Sequence, residues 1–75
     1  MQVALILKRE VVDDVALRKQ VIESVKRSLG ILNVDLEMAE NGLLLAEYST
    51  AEHAARAAEL PGIESVESLG VKSAI

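Results

Sequence analysis

The fold of this sequence can be predicted outward from the segment Asn41-Gly42-Leu43-Leu44-Leu45-Ala46-Glu47-Tyr48. Asn-Gly is the strongest short-range signal for a β-hairpin, because both residues tolerate a positive φ. Residues 43–48 are apolar in both of their alternating sets, which is typical of a strand inside a sheet. Residues 34–39, on the other side of the turn, alternate in polarity and predict a half-buried partner strand.

A strand and a helix precede this hairpin. Residues 3–7 are apolar throughout and predict a second central strand, which the charged residues 8–10 end. Asp13 or Asp14 can cap the following helix, because a short carboxylate accepts hydrogen bonds from the free amides of a first turn. Gly30 is the expected left-handed end of this helix. Its apolar stripe consists of Val15, Leu17, Val21, Ile22, Val25 and Leu29.

A second helix and a last strand follow the hairpin. The stretch 49–52, Ser-Thr-Ala-Glu, fits a capping box in which Ser49 is the cap and Glu52 reaches back. The apolar residues of this helix are small, which lets it lie close to a sheet: Ala51, Ala54, Ala55, Ala57 and Ala58. Pro61-Gly62 ends the helix, and residues 63–69 are predicted to form the last strand.

The predicted order is strand, helix, strand, strand, helix, strand. With right-handed crossovers, this order gives an antiparallel four-stranded sheet with both helices on one face. The sequence therefore predicts an α+β, ferredoxin-like βαββαβ fold with the first and third strands in the centre. Residues 1–75 are predicted to form a single domain, with 70–75 as a C-terminal tail.

The composition excludes several classes of function. The chain has 75 residues, of which 51% are hydrophobic but only 1% aromatic, and its net charge is −4. An acidic chain with one aromatic ring lacks both the charge and the stacking surface for nucleic acid. There is no cysteine and only one histidine, His53, so neither a thiolate nor a His-rich metal site is expected. We expect no cofactor.

Catalysis and membrane insertion are not expected either. The serines and glycines lie in no nucleophile or phosphate-loop motif, and His53 has no evident catalytic partner, so we expect no enzyme. The apolar run 3–7 is far shorter than the roughly 20 residues that cross a bilayer, and it lacks the flanks of a signal peptide. We expect a cytoplasmic protein if the chain is complete, and a secreted one if it is a segment of a precursor.

One face of the predicted sheet has no helix over it. Because side chains alternate along a strand, both central strands must present aliphatic residues on this open face. We expect these to be Ala4, Ile6, Leu43 and Leu45. Acidic residues are expected beside them, namely Asp35, Glu37, Glu47, Glu64 and Glu67. A contiguous apolar patch with a polar rim usually marks an interface, so the open face is the predicted protein-binding site.

The second half of the chain resembles the subtilisin propeptide-like inhibitor family. The resemblance lies in residues 41–52 and in the segment 58–67, Ala-Glu-Leu-Pro-Gly-Ile-Glu-Ser-Val-Glu. The family typically has a Gly-containing apolar strand, a short capped helix and a Leu-Pro-Gly-Val-x-x-Val-Glu type segment that enters the last strand. Here that segment reads Leu60-Pro61-Gly62-Ile63-Glu64-Ser65-Val66-Glu67.

This resemblance implies a protein that inhibits a subtilisin-like serine protease or helps it to fold. In the family, the open sheet face packs on the protease, and acidic groups meet helix N-termini of the enzyme. The tail lies in the substrate cleft as an added strand. The corresponding tail residues here are Val71, Lys72, Ser73, Ala74 and Ile75.

Two alternatives remain open from the sequence. The first is a self-associating ferredoxin-like module, structural or regulatory, that forms a homodimer through the same open face, since a twofold dimer is the commonest way to bury such a patch. The second is a small-ligand regulatory domain, although no convergent polar pocket is visible in the sequence.

Overall fold

The two strands that are apolar on both faces lie in the middle of the sheet. The computed structural model describes residues 1–68. Its strands and helices are β1 (Gln2–Leu7), α1 (Arg9–Val12), α2 (Val15–Lys26), β2 (Ile31–Asp35), β3 (Leu43–Tyr48), α3 (Ala51–Arg56) and β4 (Ile63–Ser68). The strands are antiparallel in the order β2-β3-β1-β4. This is the ferredoxin-like α+β fold that the sequence predicts.

The core lies between the sheet and the helices. Alternate residues of the central strands face it, and Leu5 and Leu44 lie directly opposite each other with no exposed surface. The helices contribute small and β-branched side chains to the same cluster: Val11, Val21, Val25, Ala54 and Ala57. Tyr48 is also fully buried, and its hydroxyl lies 2.8 Å from Ser28 Oγ. Ser28 donates its own proton to the Val25 carbonyl, so the Tyr48 hydroxyl is the donor to Ser28 Oγ. The polar group of the buried Tyr48 side chain therefore has a hydrogen-bond partner.

The main helix of the first helical region begins at one of the two predicted caps but ends earlier than predicted. The residues after β1 form a separate turn, α1, and the main helix α2 begins after Asp14, whose carboxylate accepts hydrogen bonds from the amides of Ala16 and Leu17. The helix ends at Lys26 rather than near Gly30, and Leu29 is largely exposed instead of continuing the apolar stripe. Gly30 does adopt the left-handed conformation, but it serves the turn into β2.

The connection between β2 and β3 is longer than the predicted two-residue turn. The strand ends at Asp35, because the Asp35 carboxylate accepts a hydrogen bond from the amide of Glu37 and turns the chain. A 3₁₀ turn follows over Ala39–Asn41, and Gly42 leaves it with a φ of 88°. Of the strand predicted over residues 34–39, only Val34 and Asp35 lie in β2, which begins earlier, at Ile31. The antiparallel pairing of this strand with β3 is as predicted.

The second helical region is capped one residue later than predicted. Thr50, not Ser49, is the N-cap of α3, and its hydroxyl accepts a hydrogen bond from the amide of His53. Glu52 does not reach back, since its carboxylate lies 3.5 Å from the exposed guanidinium of Arg56. A 3₁₀ turn over Ala57–Glu59 leads to Pro61-Gly62, where the helical region ends as predicted. Of the last strand predicted over residues 63–69, all but Leu69 lie within the described residues and form β4.

Substitution of Asp14 tests whether this residue is the N-cap of α2. We expect Asp14→Ala to lower the free energy of unfolding by about 1 kcal/mol, because two first-turn amides lose their acceptor. Asp13→Ala is the matched control, since Asp13 is an exposed neighbour of the same charge that does not form the cap. Urea unfolding of both variants measures the difference; an equal loss in both would contradict the assignment.

Candidate protein-binding face

The aliphatic residues predicted for the open face lie on it in two cross-strand pairs. Ala4 lies opposite Leu45, and Ile6 lies opposite Leu43, in the register of β1 with β3. All four belong to the alternating sets that do not enter the core between sheet and helices. Ala4 is covered by its neighbours, whereas the three larger side chains are half-buried and keep part of their surface accessible. Their expected orientation is thus what the structure has, and their role in binding stays a prediction.

Carboxylates stand at both ends of one row across this face. Asp35 of β2 lies opposite Leu45, Leu45 lies opposite Ala4, and Ala4 lies opposite Glu67 of β4. Residues directly opposite each other in antiparallel strands share a face, so the four side chains form a single line. With strands about 4.8 Å apart, the line spans roughly 14 Å. An apolar centre is thereby bracketed by a negative charge at each outer strand.

Glu47 adds a third carboxylate to the same face. It lies opposite Gln2 of β1 and Asn33 of β2, one row along from the line described above. These polar residues line a shallow pocket of about 160 Å³, together with Asp35 and Leu45. This volume is below the 300–1,000 Å³ that is usual for a small-molecule site. A depression of this size suits a single side chain of a partner.

One of the acidic residues expected at this face lies outside the strands, and another has no partner in the strand register. Glu37 follows the end of β2 and belongs to the connection to β3, so its expected place on the second strand is wrong. Glu64 has no partner in the register with β1, because an irregularity separates Ile6 from Leu7 there. Gln2 and Asn33, which line the pocket, were missed by the sequence analysis. Alternation places both of them on the open face, Gln2 with Ala4 and Asn33 with Asp35, but the predicted strands began one residue after each.

The four described strands carry charge of one sign only. None of their residues is Lys, Arg or His, and their charged members are Asp35, Glu47, Glu64 and Glu67. A low-dielectric apolar surface with fixed charges of one sign at its borders attracts a partner of the opposite sign. The face is therefore suited to a surface with an apolar centre and positive flanks.

Ser49 and His53 form a hydrogen bond that the sequence analysis did not foresee. Ser49 Oγ lies 3.1 Å from Nδ1 of His53, at the i, i+4 spacing expected at the start of a helix. The imidazole packs against Gly30, where a Cβ would have no room. A small cavity beside His53 is lined by Ser28, Leu29, Arg56, Ala57 and Leu60, but not by Ser49. The pair joins the start of α3 to the turn before β2, and it does not open into a common cleft.

Within residues 1–68, no three His, Asp or Glu side chains are grouped so that they could hold a metal ion. No helix in that range is both long and apolar enough to cross a membrane. The predicted tail, 70–75, with its binding residues 71–75, lies outside the described residues.

The comparisons with known proteins identify no relative of this chain. No protein-family model, no curated protein and no solved structure matches this chain. The functional argument therefore depends on the surface described above and on the resemblance in residues 41–52 and 58–67.

Leu44 and Leu45 of β3 belong to opposite faces of the sheet, so replacing each in turn tests which face is covered by the helices. We expect Leu44→Ala to lower the free energy of unfolding by about 2–5 kcal/mol, because this side chain is fully buried against the helices. Leu45→Ala makes the same chemical change on the open face and should cost markedly less. Chemical denaturation of the two variants measures both values, and similar losses would mean that the open face is covered within the monomer.

Proposed function

We propose that this chain is a protein-binding module that docks through its open sheet face. The observation that carries the proposal is the row Asp35–Leu45–Ala4–Glu67, in which two carboxylates bracket an apolar centre. Ile6 and Leu43 widen that centre along the strands, and Glu47 adds charge to its border. The best-suited partner surface has an apolar ridge with cations or helix N-termini on either side.

The charges favour a partner different from this chain. If two copies stacked their open faces, each end of the row would meet Asp35 or Glu67 of the other copy. Like charges placed together at an interface cost several kcal/mol. No Lys, Arg or His of the described strands is present to offset this repulsion. A homodimer through the open face is therefore the weaker of the two alternatives.

The partner we propose is a subtilisin-like serine protease, which this chain inhibits or helps to fold. The support comes from the resemblance of residues 41–52 and 58–67 to the propeptide-like inhibitors. In that family an acidic, apolar sheet face of the same topology meets the enzyme. The proposal also assigns residues 71–75 to the substrate cleft. That assignment rests on the resemblance alone.

The first experiment tests the contribution of the open face to binding and that of the tail to inhibition with separate variants. We expect the intact chain to lower the activity of a subtilisin-like protease and to bind the active-site-blocked enzyme in calorimetry. Leu45→Lys should weaken that binding by roughly ten-fold or more, since it places a cation in the apolar centre of the face. Deleting residues 71–75 should abolish inhibition of the active enzyme, because only the tail is proposed to enter the cleft.

Val15→Lys is the matched control for Leu45→Lys. It makes a comparable apolar-to-Lys change at an exposed position of α2, away from the open face. Circular dichroism of each variant confirms that it is folded. Full protease activity with excess intact chain, together with no heat of binding, would refute the protease assignment. Unchanged binding by Leu45→Lys would refute the role of the face.

The carboxylates at the ends of the row should act mainly on the rate of association. We expect the double variant Asp35→Asn, Glu67→Gln to associate several-fold more slowly at low salt, because its long-range attraction for a cationic partner is reduced. The difference should shrink at high salt, where charges are screened beyond a few Å. Glu23→Gln with Glu10→Gln, two exposed helical positions, is the control of equal charge. Stopped-flow binding with the blocked protease measures the rates; equal slowing in both pairs would contradict the proposal.

A further inference from the structure

The open face changes in character along its strands. Three rows of opposite residues cross it, and each row lies two positions along the strands from the next. From one end to the other, the rows are Asn33–Glu47–Gln2, Asp35–Leu45–Ala4–Glu67 and Leu43–Ile6–Ser65. At about 3.4 Å per residue, the first row is roughly 14 Å from the third. The face therefore has a polar end, which carries a charge, and an apolar end, which carries none.

The row at the polar end carries three side chains whose hydrogen-bonding groups are unused. Within residues 1–68, the side chains of Gln2, Asn33 and Glu47 take part in no hydrogen bond and no ion pair. Glu47 is half-buried and lies between the two amide residues in the strand register. A carboxylate flanked by two side-chain amides offers oxygen acceptors from three side chains to one group with several donors.

The shallow pocket of about 160 Å³ lies at this polar end. Its lining includes Gln2, Asn33, Asp35, Leu45 and Glu47. The ionisable side chains among these residues are both carboxylates, whereas Leu45 gives the pocket an apolar wall. Long basic side chains have an aliphatic stem that packs on apolar surface and a charged head that seeks polar partners. Such a side chain matches both parts of this pocket.

We propose that this pocket receives an arginine side chain of the protein partner, while a large aliphatic side chain of the same partner packs on Ile6 and Leu43. The planar guanidinium has five donors, so it can bind the Glu47 carboxylate through two of them and donate to a neighbouring amide oxygen as well. The ammonium of a lysine is more strongly hydrated and acts as a point charge. This inference rests on the proposed function, since it requires a protein to cover the open face.

The difference between the two ends also selects the direction in which the partner docks. In the reversed direction, the cation would be covered beside Leu43 and Ile6, in a row without a carboxylate. The aliphatic side chain would at the same time cover Glu47 and its two flanking amides without giving them hydrogen-bond partners, which is costly for buried polar groups. The open face therefore discriminates between the two directions by penalties at both ends.

Selection of short linear peptides from a displayed random library, with the immobilised full chain as target, tests the inference without any protease. We expect the selected peptides to be enriched in arginine over lysine and to carry a large aliphatic residue. Their affinity should fall roughly ten-fold or more for Leu45→Lys, which places a cation in the centre of the face. It should be unchanged for Val15→Lys, which makes a comparable change on α2.

A double-mutant cycle with one selected peptide tests the contact itself. Replacing its arginine by citrulline removes the charge and keeps the shape, and Glu47→Gln does the same on the chain. We expect each change alone to weaken binding roughly ten-fold. The two together should weaken it little further, because they remove the same contact. Glu64→Gln is the matched control, since Glu64 is an exposed residue of β4 without a partner in the strand register, and it should leave the affinity unchanged.

The outcomes distinguish failure of this inference from failure of the proposed function. Peptides that lose affinity for Leu45→Lys but show no preference for arginine, or additive losses in the cycle, would overturn the arginine contact and leave the binding face standing. Peptides that bind Leu45→Lys as tightly as the intact chain would overturn both. A selection that yields no binder would overturn the arginine contact alone, because the protease assay tests the proposed function directly.

Discussion

The antiparallel pairing of β1 with β3 sets the positions of the outer strands and of the helices. Both strands carry aliphatic side chains on both faces, a pattern typical of strands inside a sheet. Leu5 and Leu44 meet at the middle of this pair and are completely buried beneath the helices. Once these strands occupy the centre, the crossover connections place β2 and β4 at the edges and both main helices on one side. The other side of the same pair is then left without a helix.

The single aromatic residue shows how the two faces are divided. Tyr48 belongs to the alternating set that faces the helices, and its hydroxyl is satisfied by Ser28 within the core. Because Ser28 follows α2 closely, this hydrogen bond joins the end of β3 to the end of that helix. The open face is consequently aliphatic, and it depends on Ile6, Leu43 and Leu45 for its apolar surface. Such a face can be covered by protein side chains, but it offers no ring on which a base could stack.

The sequence was most informative where local pattern and long-range topology agree. Residues 43–48 were predicted as a strand with the bounds that β3 has, because both their composition and their neighbours demand a central position. It was least informative where a single polar side chain determines the residue at which a strand ends or a helix begins. Asp35 ends β2 by accepting the amide of Glu37, and Thr50 takes the cap that Ser49 was expected to provide. Neighbouring Ser, Thr and Asp residues offer nearly equal caps, so only the surrounding packing can choose among them.

The candidate site could be predicted in part. Alternation identifies Leu45 and Ala4 as residues of one face and gives candidates for its acidic border, but it does not say which acidic residue lies directly beside them. That depends on register, and the register here contains irregularities between Ile31 and Asn33 and between Ile6 and Leu7. A shift of one residue in β2 would move Asp35 away from the row and place Val34 there instead.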